Sequence, residues 1–265
     1  MEKGEKMKTV TTHNGVMHAD EVAACALIKL FIDDEIKVKR VPHNTVELPK
    51  SDFIIDIGRE FDGETKFDHH QNKGGKASAG LIWNYIGLED RYEKISILIE
   101  KIDKHDTGIE KSGDFEVPAI ISTFNSQNIY DPEQDQNFLK AIDFLYMIFA
   151  SYKQEADEFI KAKKICEESQ IFEGIKDVIE IKEFTLHWSK FINGEKMSNI
   201  EAVVWWDPAQ ERWKAQTTPK TYGSFKANGK LFLPDETMDF VHQAGFFAVA
   251  KNRETMVNFL KNSRK

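Results

Sequence analysis

Apolar and polar positions change rhythm several times along the chain, and each change marks an element. Val10-Thr11-Thr12 is a short β-branched run. It predicts a strand, because branched side chains pack well on a pleated surface. His13 to Glu21 is polar and contains a glycine. Apolar residues then crowd together from Val22 to Phe31 and predict a helix. Residues 35–41 alternate, predicting a second strand that Pro42 ends. Phe53-Ile54-Ile55 is continuously apolar and stops at Asp56-Ile57-Gly58, the pattern of a buried parallel strand that delivers a carboxylate at its end. Phe61 to Lys66 turns at Asp62-Gly63, and Asn72 to Lys76 is a Gly/Lys-rich loop. Ser78–Tyr85 and Arg91–Lys104 predict helices. The second has Ile95, Leu98, Ile99 and Ile102 at helical spacing and Gly108 as its stop. Residues 132–170 predict a long helix.

From about Lys176 the rhythm shortens. Val178 to Ile181 and Phe184 to Trp188 each predict a strand. Ala202–Trp206 and Trp213–Thr217 predict a hairpin around Asp207-Pro208. Phe240-Val241 and Phe246–Val249 predict one strand leading to a terminal helix, Arg253–Leu260. Strands alternating with helices in the first part predict a parallel sheet. The expected fold class is α/β, with a parallel-sheet domain (1–170) followed by a smaller α+β domain (171–265). A chain of 265 residues suits two modest domains.

Composition narrows the function classes. The apolar fraction of 41% and charged fraction of 30% are globular. Two cysteines build no disulfide framework, and Cys25 sits among apolar helix positions, so a buried thiol in a reducing compartment is expected. The charged N-terminus lacks a signal-like apolar core, and no run reaches membrane-spanning length, so a cytoplasmic protein with no membrane contact is expected. A net charge of −8 argues against a protein that coats nucleic acid. That charge is unevenly spread: residues 1–165 carry all of it, and positive residues outnumber negative ones from Ala209 onward.

The candidate chemistry lies in the polar breaks. His13, His18, Asp20, Asp56, Asp68, His69, His70, Asp103 and Asp106 stand in four separate segments, each at a turn after a strand or helix. Mixed histidine and carboxylate ligands at strand ends point to divalent metal. Two ions sharing a site need a bridging carboxylate, and Asp56 is the natural bridge. Asp20 also suits a helix cap, and Ser78 an N-cap.

Phe67-Asp68-His69-His70-Gln71, following Asp56, resembles the DHH phosphoesterase superfamily. Within it, His13-Asn14-Gly15-Val16-Met17-His18-Ala19-Asp20-Glu21, Ser78-Ala79-Gly80-Leu81 and Val241-His242-Gln243-Ala244-Gly245-Phe246 are similar to blocks of the melanocyte-proliferating-gene family. The resemblance runs from about Lys8 to Leu260. It implies a DHH domain and a smaller C-terminal domain with the active site in the cleft between them, and a metal-dependent phosphodiesterase of exoribonuclease type. His13, His18 and Asp56 would hold one Mn²⁺; Asp20, Asp56, His69 and Asp106 would hold the other, with Mg²⁺ or Co²⁺ as alternatives. Asp103 rivals Asp106, which stands in the better turn. His70 would contact the scissile phosphate and Asp68 would back the histidines. The expected substrate is RNA or a short oligonucleotide, and a homodimer is allowed for.

The second domain departs from the family. Ala248 and Val249 stand where the family pattern has a Gly-Gly pair, whose small residues allow close approach of backbone to phosphate. His242, Lys73 and Arg212 are the candidate substrate contacts. Lys76, Lys214, Lys220, Lys226 and Lys251 suit either phosphate guidance or plain solvation, and Trp205, Trp206 and Trp213 suit core packing better than base stacking. Two further functions stay open: a phosphatase or pyrophosphatase on small phosphorylated nucleotides, and a metal-retaining nucleotide-binding module without efficient catalysis.

Overall fold

In a computed structural model, which describes residues 7–71, 75–192, 199–221, 225–227, 230–231 and 238–263, the chain divides into two units, 1–156 and 157–265. The dividing point falls inside the longest helix.

The first unit is built on four parallel strands: β1 (Lys8–His13), β2 (Ile36–Val41), β3 (Phe53–Ile55) and β4 (Lys66–Phe67), in the order β2-β1-β3-β4. Period two divides the apolar side chains of β3 between two faces. Phe53 and Ile55 enter the large core, and Ile54 enters a small cluster with Val41 and Ile57. The large core also holds α1 (Ala19–Phe31), α2 (Ser78–Ile86), α3 (Glu93–Asp106), α4 (Val117–Ser122) and the first half of α5 (Pro132–Glu167). From Val22 to Ile28 every residue of α1 is fully buried, so this helix has no solvated stripe there. Gly108, at φ +73°, ends α3 as expected. No expectation covered α4. Trimming buried Ile142 of α5 to Val is expected to cost about 0.5–1.5 kcal/mol, read as a lower urea midpoint.

The second unit holds β5 (Gln170–Ile171), β6 (Val178–Glu180), α6 (Trp188–Ile192), β7 (Ala202–Asp207), β8 (Arg212–Thr217), β9 (Lys226–Ala227), β10 (Lys230–Leu231), β11 (Met238–Val241), β12 (Phe247–Ala250) and α7 (Arg253–Asn262). Six strands form a mixed sheet, β11-β12-β8-β7-β6-β5, in which only β6 and β7 run parallel. Two expectations are corrected here. Phe184 to Trp188 form no strand: Trp188 begins α6, and Phe184 stacks on Trp205 of β7, ring centroids 4.6 Å apart. Phe240 to Val249 is an antiparallel pair rather than one strand, because His242 to Phe246 forms the turn between β11 and β12. Among the described residues, no helix is long and apolar enough to cross a membrane.

Candidate metal centre

Parallel pairing puts the carboxyl ends of β1 to β4 along one edge, where ligands bind in sheets of this kind. His13 is the last residue of β1, Asp56 follows β3, and Asp68-His69-His70 follows β4. Asp56 has φ +55°, a left-handed conformation uncommon outside glycine and costing about 1 kcal/mol or more. The Asp56 N–H still donates to Phe67 (3.2 Å), so the residue leaves the sheet while remaining tied to it.

The side chains converge on Asp56. His13 Nε2 lies 3.1 Å from Asp56 Oδ2 and 3.4 Å from Glu21 Oε1. His69 Nδ1 and His70 Nδ1 each lie 3.4 Å from Asp56 Oδ1. His69 Nε2 lies 3.0 Å from Asp106 Oδ2, and its Nδ1 3.9 Å from Asp20 Oδ2. Among the described residues three sets result: His13, His18, Glu21 and Asp56; Asp56, Asp68, His69 and His70; His18, Asp20 and Asp106. Within each set the ligand atoms all lie within 4.8 Å of one another. A cavity of about 410 Å³ opens on His18, Asp56, His69, His70 and Asp106, with Val16 and Pro118 as apolar lining.

These residues fit a divalent cation. Asp20 and Glu21 are completely buried, and among the described residues no N–H or hydroxyl group donates to Asp20 Oδ1 or Glu21 Oε2. Buried carboxylate oxygens left unpaired cost free energy that a cation would remove. Burial pushes the Asp20 carboxyl up to about 7, helped by the negative charges of Asp56 and Asp106. Burial likewise raises Asp56 to about 7 against the opposing pull of His70 and His69, and raises Glu21 well above its usual range. His13 and His18 are pushed down by burial, so both are neutral imidazoles ready to donate a lone pair. Burial would lower His69 too, but its bond to Asp106 and the charges of Asp20 and Asp56 outweigh that and raise it to about 9. Burial opposes ionisation of Asp106, yet the same bond and charge from His69 hold it below its usual range.

Neighbouring groups set the orientation. Asp68 accepts the N–H of Arg59 (2.7 Å) and of His70 (2.9 Å) and bonds the His70 ring at Nδ1 (2.8 Å), leaving that ring half exposed at the rim. Asp20 is not the cap of α1: His18 is, and its N–H donates to Glu21 Oε1 at 2.8 Å. Ser78 is likewise not a cap, since α2 is preceded by Ala77; its hydroxyl donates to Asp56 Oδ1 and lies 3.3 Å from His69 Nδ1. Asp106, not Asp103, faces the cluster. Asp103 accepts the Gly80 N–H (3.0 Å) instead.

Several participants escaped the sequence reading. Glu21, quoted only as part of the His13–Glu21 motif and given no ligand role there, lies 3.4 Å from His13 Nε2. His43, two residues beyond β2, stacks on His13 with ring centroids 4.1 Å apart. The His13–His18 loop is held by Arg40, donating to the carbonyls of His13 and Gly15, by Gln134, donating to Gly15, and by Asn125, accepting the Met17 N–H. These partners come from distant elements, and no local pattern marks them.

In the second unit, His242 accepts the Ala244 N–H (3.0 Å) and packs on Phe246. Arg212 is paired with Asp239 and Lys214 with Asp207. Ala248 is buried in β12, between β8 and β11. Trp205 is buried, Trp206 is partly exposed, and Trp213 lies under the Arg253 guanidinium. Lys73 and the Lys226 side chain lie outside the described residues.

The chain is 25% identical over 323 residues to a MYG1 protein of Saccharomyces cerevisiae, covering 97% of this chain and 95% of the yeast one. It is 28% identical over 291 residues to a MYG1 protein of Chlamydia pneumoniae, covering 96% of each. To a Homo sapiens protein named MYG1 exonuclease it is 26% identical over 316 residues, covering 92% of this chain and 82% of the human one. Residues 9–263 match the family MYG1_exonuc, described as an uncharacterised protein family (UPF0160). The match agrees with the family that the motifs resemble, and the chain belongs to the MYG1_exonuc family.

Proposed function

We propose that the protein is a metal-dependent phosphodiester hydrolase of the DHH type, acting on RNA or short oligonucleotide ends. The observation that carries this reading is the convergence of Asp20, Glu21, Asp56, His13, His69 and Asp106, with two buried carboxylate oxygens unpartnered. The name exonuclease carried by the bovine and human relatives adds a nucleic-acid substrate to it. His13, His18 and Asp56, with Glu21, would hold one ion, and Asp20, Asp56, His69 and Asp106 the other. Imidazole and carboxylate donors together suit Mn²⁺. Bound cations would supply Lewis acidity, making hydroxide available near neutral pH and offsetting phosphate charge. Asp68 fixes the His70 ring, and His70, at the rim, would hydrogen-bond the phosphate. His242 would be a further substrate contact.

A second reading, hydrolysis of small phosphorylated nucleotides, draws on the pairing of Arg212 with Asp239 and Lys214 with Asp207. That pairing removes two cations from a path that would track a phosphate backbone. A panel of short RNAs, DNAs, nucleoside monophosphates and pyrophosphate, run with Mn²⁺ and then with chelator, separates the readings. Chelator-sensitive release of mononucleotides from RNA is the expected result. Cleavage of only the small phosphates would favour the second reading. Bound Mn²⁺ with no turnover on the whole panel would leave a binding module.

A further inference from the structure

We infer that Asp103 is a positioning residue of the metal centre: it anchors the first turn of α2 so that Ser78 spans Asp20, Asp56 and His69. The inference rests on the reading of those three residues as metal ligands. Asp103 and Asp106 stand three residues apart at the end of α3, on one face of the helix. They divide the work there. Asp106 Oδ2 meets His69 Nε2, whereas the buried Asp103 carboxylate turns to the start of α2. It accepts the Gly80 N–H at 3.0 Å. It is absent from all three candidate metal-binding sets among the described residues.

A helix start exposes N–H groups with no intrahelical partner, and Ala77, which precedes α2, has no side-chain acceptor to offer. Asp103 supplies that acceptor from another element. Gly80 makes the approach feasible. A Cβ built there would overlap the Asp103 carboxylate, lying 2.8 Å from its Cγ. Glycine inside a helix costs about 1 kcal/mol against alanine, so this one has a reason to be there.

The anchored turn then reaches the metal cluster through one residue. Ser78 Oγ donates to Asp56 Oδ1 at 3.3 Å and lies 3.3 Å from His69 Nδ1; the Ser78 N–H donates to Asp20 Oδ2 at 3.4 Å. Ser78 is itself completely buried, so a shift of the turn is passed to all three side chains. Partners that orient metal ligands typically contribute about 10- to 100-fold to affinity or rate.

The test is Mn²⁺ titration calorimetry with steady-state kinetics on wild type, Asp103→Ala, Asp103→Asn and Gly80→Ala. Asp103→Ala and Gly80→Ala are expected to weaken Mn²⁺ binding about 10- to 100-fold and to lower kcat while KM changes little. Asp103→Asn keeps an acceptor oxygen and is expected to restore most of that affinity at full stoichiometry. If Asp103→Ala fails to fold, the other two variants carry the test. Loss of one whole equivalent of Mn²⁺ in Asp103→Asn would make Asp103 a ligand and overturn the inference. So would wild-type Mn²⁺ affinity in Asp103→Ala or Gly80→Ala, whatever their Tm. Wild-type protein that takes up no Mn²⁺ would sink the proposed function, and the inference with it.

Discussion

Asp56→Asn is expected to abolish Mn²⁺-dependent hydrolysis, by on the order of 10³-fold, while the fold survives. Asp56 is the carboxylate shared by two of the three candidate sets, in reach of His13, His69 and His70 together. Asn keeps its shape and, unlike most residues, tolerates the left-handed backbone that φ +55° requires. It loses the charge that a bridge between two cations needs. Removing one of several buried negative charges should leave the metal-free Tm unchanged or raised. Circular dichroism melting and Mn²⁺ titration, run beside the hydrolysis assay, check all three parts. An active, metal-loaded Asp56→Asn protein would refute the two-ion reading.

The second large effect is a metal-dependent stability that grows with pH. Asp20 and Asp56 have folded-state pKa values of about 7, far above those of carboxyls in an unfolded chain. A raised value means that the folded protein holds those protons more tightly than the unfolded one. Their contribution is therefore complete below about pH 4 and is lost as pH rises through about 7. His69, raised to about 9, adds a second loss between about pH 6.5 and 9. The metal-free protein should thus weaken as the medium becomes more alkaline across this range. A cation competes with those same protons, so its affinity rises over the same window. Saturating Mn²⁺ at about 100 times its Kd contributes roughly 2.7 kcal/mol. The expected result is a Tm difference between Mn²⁺-saturated and chelated protein that is larger near pH 8.5 than near pH 6. Equal differences at both values would mean that Asp20, Asp56 and His69 do not give up protons to the metal.

Much of the first unit could be read along the chain. The β-branched run before His13, the apolar run before Asp56 and the helix from Val22 are short-range patterns, and each is where it was expected. Gly108 ends its helix for a local steric reason. The misreadings came where pairing partners decided the outcome. Phe184 to Trp188 has the composition of a strand, but Trp188 begins α6 and Phe184 packs on Trp205 of β7. Phe240 to Val249 is apolar at both ends, and only antiparallel pairing shows that the middle turns back. Ser78 and Asp20 have the chemistry of caps, yet burial against other polar groups gives them different partners.

By itself the sequence determined which residue types could bind metal and that they would sit at strand ends. Strand propensity, helix periodicity and turn chemistry act over a few residues, and the family motifs lie within such stretches. Only the tertiary structure decided how they group. Parallel pairing brought His13, Asp56 and His69 to one edge from separate stretches of chain, and the packing of α1 and α3 on that sheet placed Glu21 and Asp106 against them while Asp103 turned to α2. Burial then raised the carboxyls and left two of their oxygens unpartnered. The exclusion of water and the proximity of like charges behind that result belong to the folded chain, and no single segment carries either.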